Sequence, residues 1–212
     1  MSVAKKLVRR KTGGKSQRVF INAGCGTSGE SSIPAFFKGW REIRVDIDPA
    51  AEPEMVTSIV DLSAIPDSSV DAVWSAHCIE HLYVHEVPVA LSEFRRVLRV
   101  PGFACIITPD LQAVAEWVLH DRIHECLYES ASGPITAHDV IWGFGRAIAS
   151  GKPAMAHHCG FTPTPLIHRL NEAGFAEIML RRRSGLELVA LALTKPTLHP
   201  HERETLMAEL GF

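Results

Sequence analysis

The sequence predicts an α/β fold, doubly wound around a mostly parallel seven-stranded sheet, with a helical insertion and a C-terminal antiparallel hairpin. Three observations predict it. Short apolar runs alternate with helically spaced segments, and several runs are continuously apolar, as strands covered on both faces require. The stretch Gly24-Cys25-Gly26-Thr27-Ser28-Gly29 directly follows the first run. Glycines so placed let a backbone turn sharply out of a strand and approach a ligand closely. The last two apolar runs lie too close together for a parallel crossover, so they pair as a hairpin.

The elements follow in order. Val19 to Ala23 reads as the first strand and leads into the glycine loop. Ser31, Ser32 and Pro34 favour a helix start, which "IPAFFKGW" continues. "EIRVDIDP" is the second strand and stops at Asp46, Asp48 and Pro49. "MVTSIVDL" reads as a third strand before the turn "IPDSS", and "VDAVWSA" as a fourth. From Val87 to Arg99 apolar residues recur at Val87, Leu91, Phe94 and Leu98, a helix with one buried face. "VPG" ends it and "FACIIT" is the fifth strand.

Residues 109–160 break the alternation. They hold two helical stretches, "LQAVAEWVLHDRIHECL" and "AHDVIWGFGRAIAS", around "SASGPIT". The segment reads as an insertion over the carboxyl ends of the strands, where folds of this class bind ligands. The glycine breaks "SASGP" and "WGFG" read as hinges of a lid. Trp117, Tyr128, Trp142 and Phe144 are its candidates for shaping a pocket. "PTPLIHRLNEAGF" returns to a helix that stops at Gly174. "AEIMLRRR" and "LELVALALT" form the hairpin, and "HPHERETLMAEL" closes the chain with a short amphipathic helix turning Leu206, Met207 and Leu210 inward.

With 212 residues, 46% of them hydrophobic, the chain suffices for one well-buried domain, residues 19–199, and a C-terminal helix or tail, residues 200–212. The net charge of -2 argues against a polyanion binder. Residues 1–18 are basic throughout, with Lys5, Lys6, Arg9, Arg10, Lys11, Lys15 and Arg18, and read as a solvated arm. The five cysteines are scattered and form no C-x-x-C, which fits a reduced, cytoplasmic protein. No stretch is apolar enough to span a bilayer, so no membrane insertion is expected.

The glycine loop alone fits a dinucleotide, a phosphate or an adenosyl sulfonium. Three further features align with it. Asp46, at the tip of the second strand, can accept hydrogen bonds from both hydroxyls of a ribose. At the tip of the third strand, Asp61 can take the exocyclic amine of an adenine while the Leu62 N–H faces a ring nitrogen. "SAHCIEHL" follows the fourth strand, at the mouth where a reacting atom would sit.

In order and spacing, "INAGCGTSGE", "RVDIDP", "IVDLSAIPDSSVDAVWSAHCIEHL" and "EFRRVLRVPGFACIITPDL" together resemble the class I S-adenosylmethionine-dependent methyltransferases of the type 11 branch. The resemblance implies a Rossmann-like fold with S-adenosylmethionine as methyl donor and S-adenosylhomocysteine as product. It implies a cradle at Asn22, Ala23, Gly24, Cys25 and Gly26, the ribose on Asp46, and the adenine beside Ile47 with its edge on Asp61 and Leu62. His77 would line the methyl donor. Asn22 stands where the family usually has an aspartate, and "VPG" where it usually has "PGG".

Methyl transfer needs alignment first and a base only for hydroxyl or ammonium acceptors. Base candidates are His77, Glu80, His81, Asp139, His157 and His158, with His77, His157 and His158 expected to meet as the catalytic cluster. His77, His81 and His85 with Cys78, His120 with His124, and His157-His158-Cys159 also have metal-like spacing. The first trio spans a loop, however, and the reading is of no metal. A small-molecule acceptor is expected. Nucleic acid is disfavoured because strand four ends in "SAHC", without an Asn/Asp-Pro-Pro-aromatic signature. A non-catalytic adenosylmethionine-binding protein and a dinucleotide-dependent oxidoreductase are the alternatives.

Overall fold

The computed structural model describes residues 17–27, 33–130, 132–183, 186–196, 200–210 and 212. The basic arm, except its end, therefore lies outside the described residues, as do Ser28, Gly29, Ser31 and Ser32. One seven-stranded sheet organises the rest, in the order β3-β2-β1-β4-β5-β9-β8. Its strands are β1 (Val19–Ala23), β2 (Arg41–Asp46), β3 (Met55–Val56), β4 (Val70–Ala76), β5 (Leu98–Pro109), β8 (Glu177–Arg183) and β9 (Glu187–Leu193). The first five run parallel, and β9 runs antiparallel to both β5 and β8.

Alternation along the strands sorts the core into two layers. In β4, Val73 packs with Ile21, Ile43 and Ile106 on one face. Ala72 and Trp74 pack with Phe20, Phe37 and Phe103 on the other. The first layer is covered by α1 (Val87–Val97) and α5 (Pro163–Glu172), through Leu91, Phe94, Leu166 and Leu170. The second is covered by α6 (Pro200–Leu210), through Leu206 and Leu210 with Met207 partly buried beside them.

Between β5 and α5 lies the insertion: α2 (Leu111–Leu119), the hairpin of β6 (Cys126–Ser130) and β7 (Gly133–Thr136), α3 (Ala137–Trp142) and α4 (Gly145–Ala149). It has its own small core of Val114, Ala137 and Val140.

Four local expectations are corrected. "MVTSIVDL" keeps strand pairing only at Met55 and Val56. Beyond them Thr57, Ser58 and Asp61 bond nearby backbone groups with their side chains, an alternative to the ladder that ends it. "IPAFFKGW" forms one short turn of 3-10 helix, Ala35–Phe37, before Gly39 takes φ 85. The helix after β5 stops at Leu119, and "ECLYES" enters the β6–β7 hairpin instead. "WGFG" is no loose hinge: at Gly143 a Cβ would lie 2.1 Å from the Met155 carbonyl oxygen, so the glycine seals α3 against that segment.

Strand order reverses between β1 and β4, and there the carboxyl ends of two adjacent strands open a crevice. Gly24 follows the end of β1 and His77 that of β4. Everything described next gathers around this point.

Candidate functional site

The loop after β1 is held by its neighbours' backbone. Gly24 and Cys25 both donate their N–H to the Val45 carbonyl, at 2.9 and 3.1 Å. Gly24 adopts φ 72, and a Cβ there would meet the Cys78 sulfur at 2.4 Å. The loops after β1 and β4 thus close on each other where only glycine fits. Gly26 donates its N–H to Asp46 Oδ2 at 2.8 Å, and the Asp48 N–H reaches Asp46 Oδ1 at 2.9 Å. Ile47 and Val56 beside it are 53% and 58% exposed, an apolar strip at the strand tips open to cover by a flat ring.

Other expected contacts fall differently. Asn22 and Ala23 are buried in β1, and the Asn22 amide donates to Glu42 Oε1 at 2.8 Å. Asp61 lies in the turn beyond β3, where hydrogen bonds from Ser63 hold its carboxyl below the usual range. The Leu62 N–H is already engaged by Glu93 Oε2 at 2.8 Å, and Leu62 itself is buried. Arg96 binds both Glu93 and the Leu62 carbonyl, so α1 pins this turn. A free N–H at Leu62 is therefore not what the structure has.

At the tip of β4, His77 takes φ 50, and its ring sits between two carboxylates. Nε2 is 2.9 Å from Glu187 Oε1, and Nδ1 is 3.5 Å from Glu80 Oε1. Burial alone would lower its pKa, but bonding and charge from Glu187 and Glu80 outweigh it and raise it to about 10. His77 is thus an imidazolium at neutral pH, which removes it as a general base. Glu80 is fully buried, which opposes its charge, yet His77 holds its pKa below the ordinary value. Glu187, opened onto this point by the start of β9, is lowered in the same way. Together the three groups carry one net negative charge.

A cavity of about 180 Å³ lies between these strand tips and the insertion. His77, His81, Pro109 and Glu187 line its floor, and Tyr128, Phe144, Met155 and His157 belong to its roof. Of the aromatic candidates, Tyr128 and Phe144 reach it. Trp117 packs in the insertion's core beneath Arg122, and Trp142 is half-exposed against His138. Asp139 lines the cavity, but its carboxylate caps α3 through Thr136 and also accepts the Gly145 N–H.

His157 and His158 part company. His157 faces the cavity, its ring 4.8 Å from that of His81. His158 lies outside it, exposed and stacked on Tyr83 at 4.2 Å, so it does not meet His77. His85 also stacks on Tyr83, at 5.9 Å, and His124 on His138, which disperses the remaining histidine spacings. Glu187 and Thr108 are functional candidates that sequence reasoning missed. Both come from strand ends far along the chain, with no local motif to mark them.

A family model described as "Methyltransferase domain" matches residues 21–106. No curated protein sequence matches the chain. Among solved structures, the 1,6-didemethyltoxoflavin-N1-methyltransferase of Burkholderia thailandensis, bound to 1,6-didemethyltoxoflavin and S-adenosylhomocysteine, is 17% identical. It covers 84% of this chain and 71% of its own, with a TM-score of 0.50. A SAM-dependent methyltransferase from Archaeoglobus fulgidus is 15% identical over 84% of this chain and 86% of its own, at TM-score 0.55. The PH0226 protein of Pyrococcus horikoshii is 15% identical over 85% and 83%, at TM-score 0.57. These likenesses extend the shared fold beyond the matched segment.

Proposed function

We propose, for a chain that belongs to the type 11 branch of the class I S-adenosylmethionine-dependent methyltransferases, that the methyl acceptor is a small molecule. Its reacting oxygen or nitrogen enters the cavity beneath the insertion. S-adenosylmethionine is the family's cofactor, and the residues at the strand tips fit it. The Asp46 carboxylate offers about four acceptor directions and spends two on Gly26 and Asp48, which leaves two for ribose hydroxyls. Ile47 and Val56 supply an apolar surface for the adenine. Asp61 stays exposed and ionised for its amine, without help from the Leu62 N–H. The carboxylates of Glu80 and Glu187 flank the β4 tip, with His77 and Arg183 as their counter-charges.

The cofactor brings an electrophilic methyl group, so the protein's task is alignment and exclusion of water. The cavity carries the proposal. It opens at the β4 tip, where His77 lines it, and is closed above by the insertion. At about 180 Å³ it falls below the roughly 300–1,000 Å³ of common drug-sized sites, which suits a compact acceptor or one ring of a larger one. Facing it is the His157 imidazole: burial lowers its pKa, and its Nδ1 donates to the Val140 carbonyl at 3.0 Å. Its Nε2 lone pair makes this end of the cavity a Lewis-basic centre. The test is transfer of a labelled methyl group in a cell extract. Label in the low-molecular-weight fraction supports the reading, and label confined to RNA or protein contradicts it.

A further inference from the structure

The structure assigns a second role to the cavity's basic end: we infer that Glu80, His81 and His157 form a site for one divalent first-row metal ion. One carboxylate oxygen of Glu80 and one nitrogen from each ring lie within 4.8 Å of one another. Two imidazoles and a carboxylate are the donor set of open zinc and non-haem iron sites, and suit manganese and cobalt as well.

Each ligand is already oriented. His81 Nδ1 lies 3.1 Å from the Ala156 carbonyl and His157 Nδ1 lies 3.0 Å from the Val140 carbonyl. A carbonyl only accepts, so in each neutral ring Nδ1 carries the proton and Nε2 keeps its lone pair. Metal-binding histidines are characteristically fixed in this way. The Thr108 hydroxyl donates to Glu80 Oε2 at 3.1 Å, which fixes the carboxylate. The other oxygen, Oε1, is buried without a hydrogen-bond partner among the described residues, on a side chain 1% exposed. Its nearest cation, His77 Nδ1, stands off at 3.5 Å. A buried carboxylate oxygen left this way is costly, and a cation is the ligand that would satisfy it.

The main chain makes the convergence rigid. The Glu80 carbonyl accepts the N–H groups of His158 and Cys159, at 2.9 and 3.2 Å, which ties the turn after β4 to the end of the insertion. The three ligands leave coordination positions open towards the cavity. Resting on the function proposed above, the acceptor class would be one with an oxygen or nitrogen donor able to occupy such a position.

The experiment titrates chelator-stripped protein with Zn²⁺, Mn²⁺, Mg²⁺ and Co²⁺ by calorimetry, with the visible spectrum of the Co²⁺ form recorded. The same samples are titrated with S-adenosylhomocysteine. One equivalent of Zn²⁺ or Co²⁺ is expected to bind, with a d–d band from nitrogen ligation. Glu80→Gln and His157→Asn should each weaken binding by about 100-fold or more, since even outer partners of metal ligands are worth about 10–100-fold. Circular dichroism establishes that both variants fold, and His124→Ala controls for surface histidines. No stoichiometric binding, or binding unchanged in both folded variants, overturns the inference. If S-adenosylhomocysteine still binds in that case, the methyltransferase reading stands without the metal. Loss of S-adenosylhomocysteine binding in the wild type counts against that reading instead.

Discussion

The two halves of the crevice are built by different means. The proposed donor half, around Gly24, Gly26 and Asp46, is made of backbone conformations and short-range contacts between adjacent strand tips. Its polar groups are few and its ligand-facing surface is open. The proposed acceptor half, around Glu80, His81, His157 and Glu187, is made of side chains. Glu80 at its centre is buried, and its partners are far apart in sequence: His77 meets Glu187 across 110 positions, and His81 meets Ala156 across 75. On the proposed function, adjacent strand tips hold the cofactor largely through backbone, and the insertion supplies the side chains that select the acceptor.

The largest expected effect lies where the halves touch. Gly24→Val should destabilise the fold by about 3–4 kcal/mol, combining left-handed strain with overpacking against Cys78. Urea denaturation checks it, and a loss below about 1 kcal/mol would mean that the loops do not close there as described. The donor half is next. Asp46→Ala should weaken S-adenosylhomocysteine binding by about 1.5–3 kcal/mol, the scale of hydrogen bonds to a charged group. Calorimetry that finds the variant equal to the wild type would move the ribose elsewhere.

A smaller effect separates the halves by pH. The folded His77 pKa, raised to about 10, lies above its ordinary value of 6.5, so the folded state binds more protons between those limits. The contribution is complete below about pH 6.5 and is lost as pH rises through about 10. The ring is half-exposed, so solvent screening keeps it to about 1 kcal/mol or less. Denaturation midpoints of wild type and His77→Asn should therefore differ most near neutral pH and converge above pH 10; a pH-independent gap would remove the carboxylate clamp. The smallest effect is His158→Ala. Its ring stacks on Tyr83 away from the cavity, so stability should stay within about 0.5 kcal/mol and turnover should not change. A collapse of turnover would return His158 to the site.

The same division decides what could be read from the sequence. The meeting of the Gly24–Gly26 loop with Asp46 was legible because a strand–loop–strand unit places them by local spacing alone. The hairpin of β8 and β9 was legible because chain length forbids any other pairing. The third strand misled because its apolar run looks continuous, while Thr57, Ser58 and Asp61 divert the backbone into a turn. The Leu62 N–H misled because its partner, Glu93, sits on a helix whose register no local pattern reveals. His157 and His158 are adjacent and alike in sequence. Only the pairing of the insertion with the Glu80 turn sends one inward and the other out. The hinge in "WGFG" failed for a related reason: a glycine marks a loose joint or a close approach, and Gly143 is the second.

Hydrogen exchange with and without S-adenosylhomocysteine tests most directly the claim that donor and acceptor halves are separate structures meeting at the β4 tip. Slowed exchange is predicted at the amides of 24–27, 46–48 and 57–61, with 77–78 as the shared boundary. Residues 126–157 should be unchanged until an acceptor is added. Protection confined to residues 126–157, with none at 24–27 or 46–48, would contradict the account.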